Sequence, residues 1–296
     1  MSEYMKDLYR RATYGSPDAR AQLDEVIRTS VDTGLVGFNG ENIKYAFTNE
    51  MRESLNILSN IEHAESSNTG ESILIDAHDS ATIEGARTTI ERVKESLSID
   101  KDSRDKDSRM VTNAYDAIQY ARHIGVSRNT IRSIWEILTD GVCENVSRDG
   151  TLYRSGMVYI GSYTRVVHTP CPPDKLEEFM NYYFKYEVTL LNSCIRHWYF
   201  VYLHPFCDGN GRFARLSHYC DLCNIDSMFE GVAISRSILL DVNGYYKAIS
   251  DGEVNIDGNL YITKFIEYML SVIVDAVNRS NKSTTSLGSL FKNAEG

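Results

Sequence analysis

Residues 203–215 read Leu-His-Pro-Phe-Cys-Asp-Gly-Asn-Gly-Arg-Phe-Ala-Arg. His204 is a candidate general base. Pro205 follows it, and a residue before proline is biased away from helix, so a helix arriving from the N-terminal side is expected to end at His204. Asp208 offers a hard oxygen ligand. Gly209-Asn210-Gly211 can turn tightly and bring backbone N–H groups close to an anion. Arg212 and Arg215 then lie three apart, on one face of a following helix whose N-terminus favours phosphate. A base, a metal ligand, an anion cradle and two guanidinium groups in so short a span point to phosphoryl chemistry.

A bare Gly-x-Gly says little, because short glycine patterns arise often by chance. Here many positions are fixed together, and chance occurrence is on the order of one in a million or rarer. The stretch resembles the Fic signature, His-x-Phe-x-(Asp/Glu)-Gly-Asn-Gly-Arg-x-x-Arg, matching at His204, Phe206, Asp208, Gly209, Asn210, Gly211, Arg212 and Arg215. The resemblance implies an all-α, mainly helical Fic fold with one small β-hairpin flap. It implies transfer of AMP from ATP, with Mg²⁺, to a Ser, Thr or Tyr hydroxyl of a target protein. His204 would be the base, Asp208 the metal ligand, and Gly209, Asn210, Gly211, Arg212 and Arg215 the nucleotide-binding set.

Upstream, Ser80 and Glu84 are four apart and share one helical face, with Gly85 a natural helix stop. Thr88-Thr89-Ile90-Glu91 then reads as a capping box. Alone, such a Ser/Glu pair is an ordinary exposed helix face. With the signature present, Ser80, Glu84 and Gly85 resemble the Fic inhibitory motif (Ser/Thr)-x-x-x-Glu-(Gly/Asn), in the arrangement where the inhibitory helix precedes the catalytic domain.

Around residues 153–170 the pattern changes from helical to alternating. Val158 and Ile160 alternate with Met157 and Tyr159, and Gly161-Ser162 suggests the turn of a hairpin. Fic domains carry a flap at this place that clamps a target segment, so Met157, Val158, Tyr159 and Ile160 are the expected docking residues. His168 has no partner ligands nearby in sequence, which argues against a metal role. Ile234-Ser235-Arg236 and Tyr245-Tyr246 resemble the family's Ile-Ser-Arg and Asn-Arg-x-x-Tyr-Tyr, with Asp241-Val242 standing where Asn-Arg is usual. Tyr245 and Tyr246 are thus candidates for stacking on adenine or, equally, for the core.

The chain has 296 residues and a net charge of −10 from 31 basic and 41 acidic side chains, which argues against bulk nucleic-acid binding. No apolar run suits a membrane span or a signal peptide. The six scattered cysteines fit free thiols in a reducing, cytoplasmic setting. Cys220-x-x-Cys223 lacks a second ligand pair for zinc.

Helices are expected over much of residues 4–26, from Ile43 to Ile61, over 113–124, over 127–138 capped by Ser127, over 175–185 capped by Asp174, and over 190–203. Gly34 to Gly40 reads as a loop. His197 reads as a core histidine. A clean stripe from Ile262 to Val277 reads as core. The expected division is an N-terminal helical region, 1–110, with the inhibitory helix around 73–85. A Fic catalytic domain, 111–278, and a polar, unstructured tail, 279–296, complete it. The tail is expected to be too short for the winged-helix domain that many relatives carry, and a homodimer stays open. Two rival functions remain: removal of AMP from modified proteins, with Glu84 positioning water, and a non-catalytic nucleotide- and peptide-binding module.

Overall fold

The computed structural model describes residues 4–61, 69–143, 151–162 and 165–292. Two helices, α1 (Met5–Thr13) and α2 (Pro17–Thr29), lead into strands β1 (Ser30–Val36) and β2 (Asn42–Ala46). Five helices follow: α3 (Asn49–Asn60), α4 (Thr69–Ile83), α5 (Ile90–Ser96), α6 (Lys106–Ile124) and α7 (Ile131–Thr139). The hairpin β3 (Ile160–Ser162) and β4 (Arg165–His168) precedes α8 (Leu176–Lys185), α9 (Leu190–Leu203), α10 (Asn210–Ile225), α11 (Ile234–Leu240) and α12 (Val242–Asp251). Strands β5 (Asn255–Ile256) and β6 (Asn259–Tyr261) lead into the final helix α13 (Thr263–Lys292).

Helices α9 and α10 form the centre. Residues 193–200 of α9 are all buried, as are residues 212–222 of α10. A helix apolar or paired on every side belongs inside a fold. The polar groups on them are matched: Arg196 of α9 bonds Asp221 of α10 at 2.8 Å, with its guanidinium 4.4 Å from the Tyr183 ring centre. Phe206, from the loop between the two helices, is fully buried and meets Phe213 edge-on at 5.4 Å and Trp135 at 5.5 Å. That plug anchors the signature loop to the core. Truncating such a ring typically costs about 3–5 kcal/mol. Around this pair, α13 supplies the expected stripe, with Phe265, Ile266, Met269, Leu270 and Ile273 fully buried.

Alongside the hairpin, a second, four-stranded sheet runs in the order β1-β2-β6-β5. The sequence reading has no counterpart for it. Residues 43–46, read as the start of a helix, lie in strand β2, and the helix begins after Thr48, whose hydroxyl accepts from Met51 N. The parallel partner of β2 is β6, with Ile43 opposite Leu260. Pairing across that sequence distance leaves no local signature. Gly34 also lies in a strand rather than a loop, at φ +79° where β1 changes register. Helices α1 and α2 pack Met5, Leu8, Ala19 and Leu23 against Ile256 and Tyr261 of this sheet. The Asp251 carboxylate accepts from Met5 N and Lys6 N, capping α1.

Several helix starts move by a few residues. Thr130 rather than Ser127 precedes α7, and a 3-10 turn from Pro173 to Lys175 takes the place of an Asp174 cap. Thr89 rather than Thr88 caps α5, accepting from Arg92 N. Helix α13 continues to Lys292, so the tail expected to be unstructured is helical that far. Among the described residues no helix is long and apolar enough to cross a membrane.

Candidate active site

Helix α9 delivers His204 at its C-terminal cap. His204 is left-handed, φ +50°, and its N–H still closes on Phe200 O at 2.9 Å. Pro205 then turns the chain away. A histidine at a helix C-terminus is ordinarily favoured as the cation. Here the opposite holds: His204 is pushed down to about 4, first by burial, then by the charges of His168 and Arg154. The Val201 backbone and Asp208 pull the other way and lose. The ring is therefore neutral at physiological pH, and with Nδ1 buried the other ring nitrogen, Nε2, is left to take a proton.

The loop from His204 to α10 is held from within. Asn210 accepts from Phe206 N and donates to Phe206 O, both at 2.9 Å. Trp135 Nε1 donates to Asp208 O at 3.0 Å. The Asn210 side chain is thus a staple, and only its backbone is left for an anion. Gly209 precedes α10 at φ +84°, and no side chain caps that helix. Its first-turn N–H groups have no intrahelical acceptors, which makes an anion site.

The two signature arginines separate. Arg215, buried, donates from Nη2 to Glu84 Oε1 at 2.7 Å and to Ser80 O at 2.9 Å, and from Nε to Ser80 Oγ at 2.9 Å. Its Nη1 is buried without a partner, close to Gly211. A side chain at Gly211 would collide with the Glu84 carboxylate, so that carboxylate lies directly against the glycine turn. Arg212 is also buried, but it donates to Leu138 O at 3.0 Å and lies 3.4 Å from Asp208. Arg212 therefore ties α10 to the end of α7.

Helix α4 is fixed where it presents Ser80 and Glu84. Ile73, Leu74, Ala77 and Ala81 face the core. Asp76 accepts from Ser235 N at 2.6 Å and Ser235 Oγ at 3.0 Å, and Asp79 pairs with Arg236. This gives Ile234-Ser235-Arg236 a role that the sequence reading missed. The spacing of Asp76 and Asp79 on the face of Ser80 was the available signal. Gly85, φ +98°, ends the segment as expected.

Tyr245 is buried, its hydroxyl 2.7 Å from His197 Nε2 and its ring against Phe265 and Tyr268. It belongs to the core and has no open face for adenine. Tyr246 is 48% exposed and keeps one. His197 is the packed histidine expected.

In the hairpin, Ile160 pairs with His168, Gly161 with Val166 and Ser162 with Arg165. Gly161 and Ser162, expected in the turn, are thus paired in β3, and positions 163–164 lie outside the described residues. Of the four predicted docking residues only Ile160 lies in a strand. Met157, Val158 and Tyr159 run up to it unpaired, with Met157 and Tyr159 exposed. Val166 and Val167 add exposed apolar surface on the other strand.

Asp208 suits Mg²⁺ only in part-protein coordination. Its carboxylate is 47% exposed, with one oxygen engaged by Gly209 N at 2.6 Å. No cluster of metal-ligating side chains surrounds it among the described residues. Magnesium is commonly held by one or two carboxylates together with substrate phosphates and water, which this arrangement fits. Cys171, Cys194, Cys207, Cys220 and Cys223 are free thiols.

Residues 125–220 match the Fic/DOC family. The matched range holds the hairpin, His204 and the whole signature, while α4 and Tyr245 lie outside it. No curated protein sequence matches the chain. Among solved structures, a Fic family protein from Desulfovibrio desulfuricans G20 superposes with a TM-score of 0.68 at 24% identity, over 81% of this chain and 76% of that one. Fic-1 (aa134–508) from C. elegans gives 0.59 at 16%, over 80% and 72%. A Fic domain containing signaling protein from Bacteroides thetaiotaomicron VPI-5482 gives 0.61 at 15%, over 80% and 98%. The chain has the Fic fold.

Proposed function

We propose that the chain is an autoinhibited protein adenylyltransferase, a cytoplasmic enzyme that moves AMP from ATP to a Ser, Thr or Tyr hydroxyl of a target protein segment docked at the hairpin. The observation that carries this reading is a neutral His204 beside an uncapped glycine-led helix N-terminus. His204 Nε2 takes the hydroxyl proton as the oxygen attacks the α-phosphorus. The new O–P bond forms as the bond from the α-phosphorus to the bridging oxygen breaks, and pyrophosphate leaves. First-turn N–H groups of α10 stabilise charge on the transferring phosphoryl group. Asp208 would hold Mg²⁺, which when bound supplies charge neutralisation on the phosphates. Arg215 would grip the outer phosphates.

In the present state Glu84 engages Arg215 and covers Gly211. An α-phosphate bound there would be misaligned, and in-line geometry is much of phosphoryl-transfer catalysis. The test is labelling of protein with α-labelled against γ-labelled ATP. Protein label from the α position alone is expected, and label from γ alone would mean a kinase-like reaction and overturn the reading. The same contact favours a second reading. A carboxylate against the glycine turn is placed to orient water, and the enzyme would then remove AMP. Loss of AMP removal in Glu84→Gly would select it.

A further inference from the structure

Glu84 stands just outside the helix that presents it. Helix α4 ends at Ile83, and Glu84 opens the turn that runs through Gly85 to Thr88 before α5. The near half of this turn is closed on the helix. Glu84 N and Ala86 N donate to Ala81 O at 3.1 and 3.0 Å, and Gly85 N donates to Thr82 O at 2.9 Å. Gly85 is a natural hinge: it sits at φ +98°, with open space where a side chain would stand. The far half is tied back to α4 by His78, whose ring is 14% exposed and whose Nε2 lies 3.0 Å from Thr88 O.

The other ring nitrogen, Nδ1, lies 2.8 Å from Asp79 Oδ1. Asp79 is 1% exposed, and its second oxygen pairs with Arg236 of α11. The ring thus faces a main-chain carbonyl on one side and a carboxylate on the other, and both accept. A neutral imidazole has one N–H and serves one of them, whereas a ring with two serves both. When one proton leaves, the carboxylate keeps the remaining N–H, because the charge-assisted bond is the stronger. A bare Nε2 then faces Thr88 O, lone pair against lone pair, and the tie to the turn opens.

The charges around His78 come from each neighbouring element. Helix α4 supplies Asp79 and Asp76, the latter engaged by Ser235 N and Oγ. Helix α11 supplies Arg236, and α5 supplies Glu91, within reach of the His78 charge. On α6, Asp107 accepts from Arg87 N inside the turn at 3.0 Å. His78 is held above its ordinary value, first by the bond to Asp79 and then by the Thr88 carbonyl and the Asp79 charge, against burial and Arg236.

We propose that His78 is a proton-operated clasp on the inhibitory turn: the doubly protonated ring binds Asp79 and Thr88 together and holds Glu84 at Arg215, and the singly protonated ring releases Thr88 and loosens that contact. The consequence for AMP transfer rests on the function proposed above, whereas the opening of the turn does not. A histidine raised on folding contributes its stabilisation in full below the unfolded value, about 6.5, and loses it as pH rises through the folded one. The clasp is therefore shut at low pH and opens at high pH.

The full chain is titrated by NMR with histidine Cε1 labelled, His78→Ala assigning the ring signal. The ring should titrate above about pH 6.5. Amide protection at Gly85 and Ala86, corrected for intrinsic exchange, should fall about threefold or more between about pH 6 and about pH 8.5, while at Ile266 in α13 it stays level. In His78→Ala, protection at Gly85 and Ala86 should be low at both. Labelling with α-labelled ATP then reads the consequence. Glu84→Gly has no carboxylate to hold, so it carries the pH dependence of the chemistry alone. Its advantage over wild type should shrink about threefold or more between the same two pH values.

A His78 midpoint at or below about 6.5, protection that stays level, or protection lost equally at Ile266 overturns the proposal. So does an advantage of Glu84→Gly that does not change with pH. If His78→Ala does not fold, the wild-type pH series decides alone, since it needs no variant. Absence of label from wild type and Glu84→Gly at both pH values would remove the adenylyltransferase reading, and amide protection would still judge the clasp.

Discussion

Helix α9 ends and helix α10 begins on either side of one short loop, and the two ends are finished by opposite means. The α9 end would carry partial negative charge. Arg154 and His168 close it, and His204 beside it is neutral. The α10 end would carry partial positive charge, and it has no side-chain cap. What lies against its glycine turn is a carboxylate from a different helix, Glu84 on the turn after α4. One end is closed by two side chains of the hairpin segment. The other is left for an anion, and the chain's own anion sits there. The first is built into the core through Tyr202 and Trp198. The second rests on a side chain that is 32% exposed and bonded to a single arginine.

Breaking the closed end at the base itself should have the largest effect. His204→Ala should lower AMP transfer by about 10²–10⁴-fold, the usual cost of losing a general base. The fold should survive, because the loop around His204 is anchored by Phe206 and Asn210 rather than by the ring. Thermal unfolding and nucleotide binding close to wild type, measured beside the labelling rate, check this. Transfer at the wild-type rate would remove His204 from the mechanism.

Breaking the other end should act in the opposite direction. Glu84→Gly should raise autolabelling or target labelling with α-labelled ATP by about tenfold or more, since it frees Arg215 and uncovers Gly211. It should also lower stability by about 1–2 kcal/mol. Removing one partner of a buried pair costs more than that, but Glu84 is partly exposed and Ser80 still accepts from Arg215. Adding Arg215→Ala should cancel the gain in rate. No gain in the single variant would end the inhibitory role. A gain in rate with a loss in stability is what distinguishes an occupied functional site from an ordinary structural ion pair.

How much of this was legible beforehand follows the range of the interactions. The signature loop, the His204 turn and the Ser80/Glu84 face are local patterns, and the structure sets that face against Arg215. The bond from Arg212 to the end of α7 was not legible, because its distance from Arg215 says which helix face it shares and nothing of what packs against that face. Tyr245 was left between two roles for the same reason, and His197 decides it for the core. The four-stranded sheet was invisible, since its central pairing joins Ile43 to Leu260. The neutrality of His204 could not be read at all. Local sequence gives the helix dipole and its wrong sign, whereas the correction comes from Arg154, His168 and burial.

The pH profile sharpens the closed end. An ordinary histidine is half protonated near pH 6.5, so a base of that kind loses activity as pH falls through 6–7. His204 is held near about 4, so its neutral form persists below that window. The acid limb of kcat/KM assigned to the base should therefore fall below pH 5, with transfer nearly flat between pH 6 and 7.5. An acid limb centred near pH 6.5 that disappears in solvent-independent controls would show that the burial and the two caps do not act on the ring.

The smallest expected effect lies at the hairpin, where the proposed target segment would dock. Its inner positions are committed to structure: His168 to Tyr202 and Glu253, and Arg154 to the α9 carbonyls. Its outer positions are not. Met157, Tyr159, Val166 and Val167 are all exposed, Tyr159 at 64%, and none is needed to hold His204. A proline at Val158 is a poor probe of this surface, because Val158 precedes the paired strand. Removing side chains from the exposed face is the better one. Tyr159→Ala with Val166→Ser should weaken modification of a separate target protein about three- to tenfold, the scale of losing one or two apolar contacts of about 1 kcal/mol. Hydrolysis of ATP by Glu84→Gly, which needs no docked segment, should stay within about twofold in the same background. Comparing the two assays separates docking from chemistry. Equal losses in both would mean that the outer face also supports the base, and the division between a committed inner face and a receptive outer one would fail.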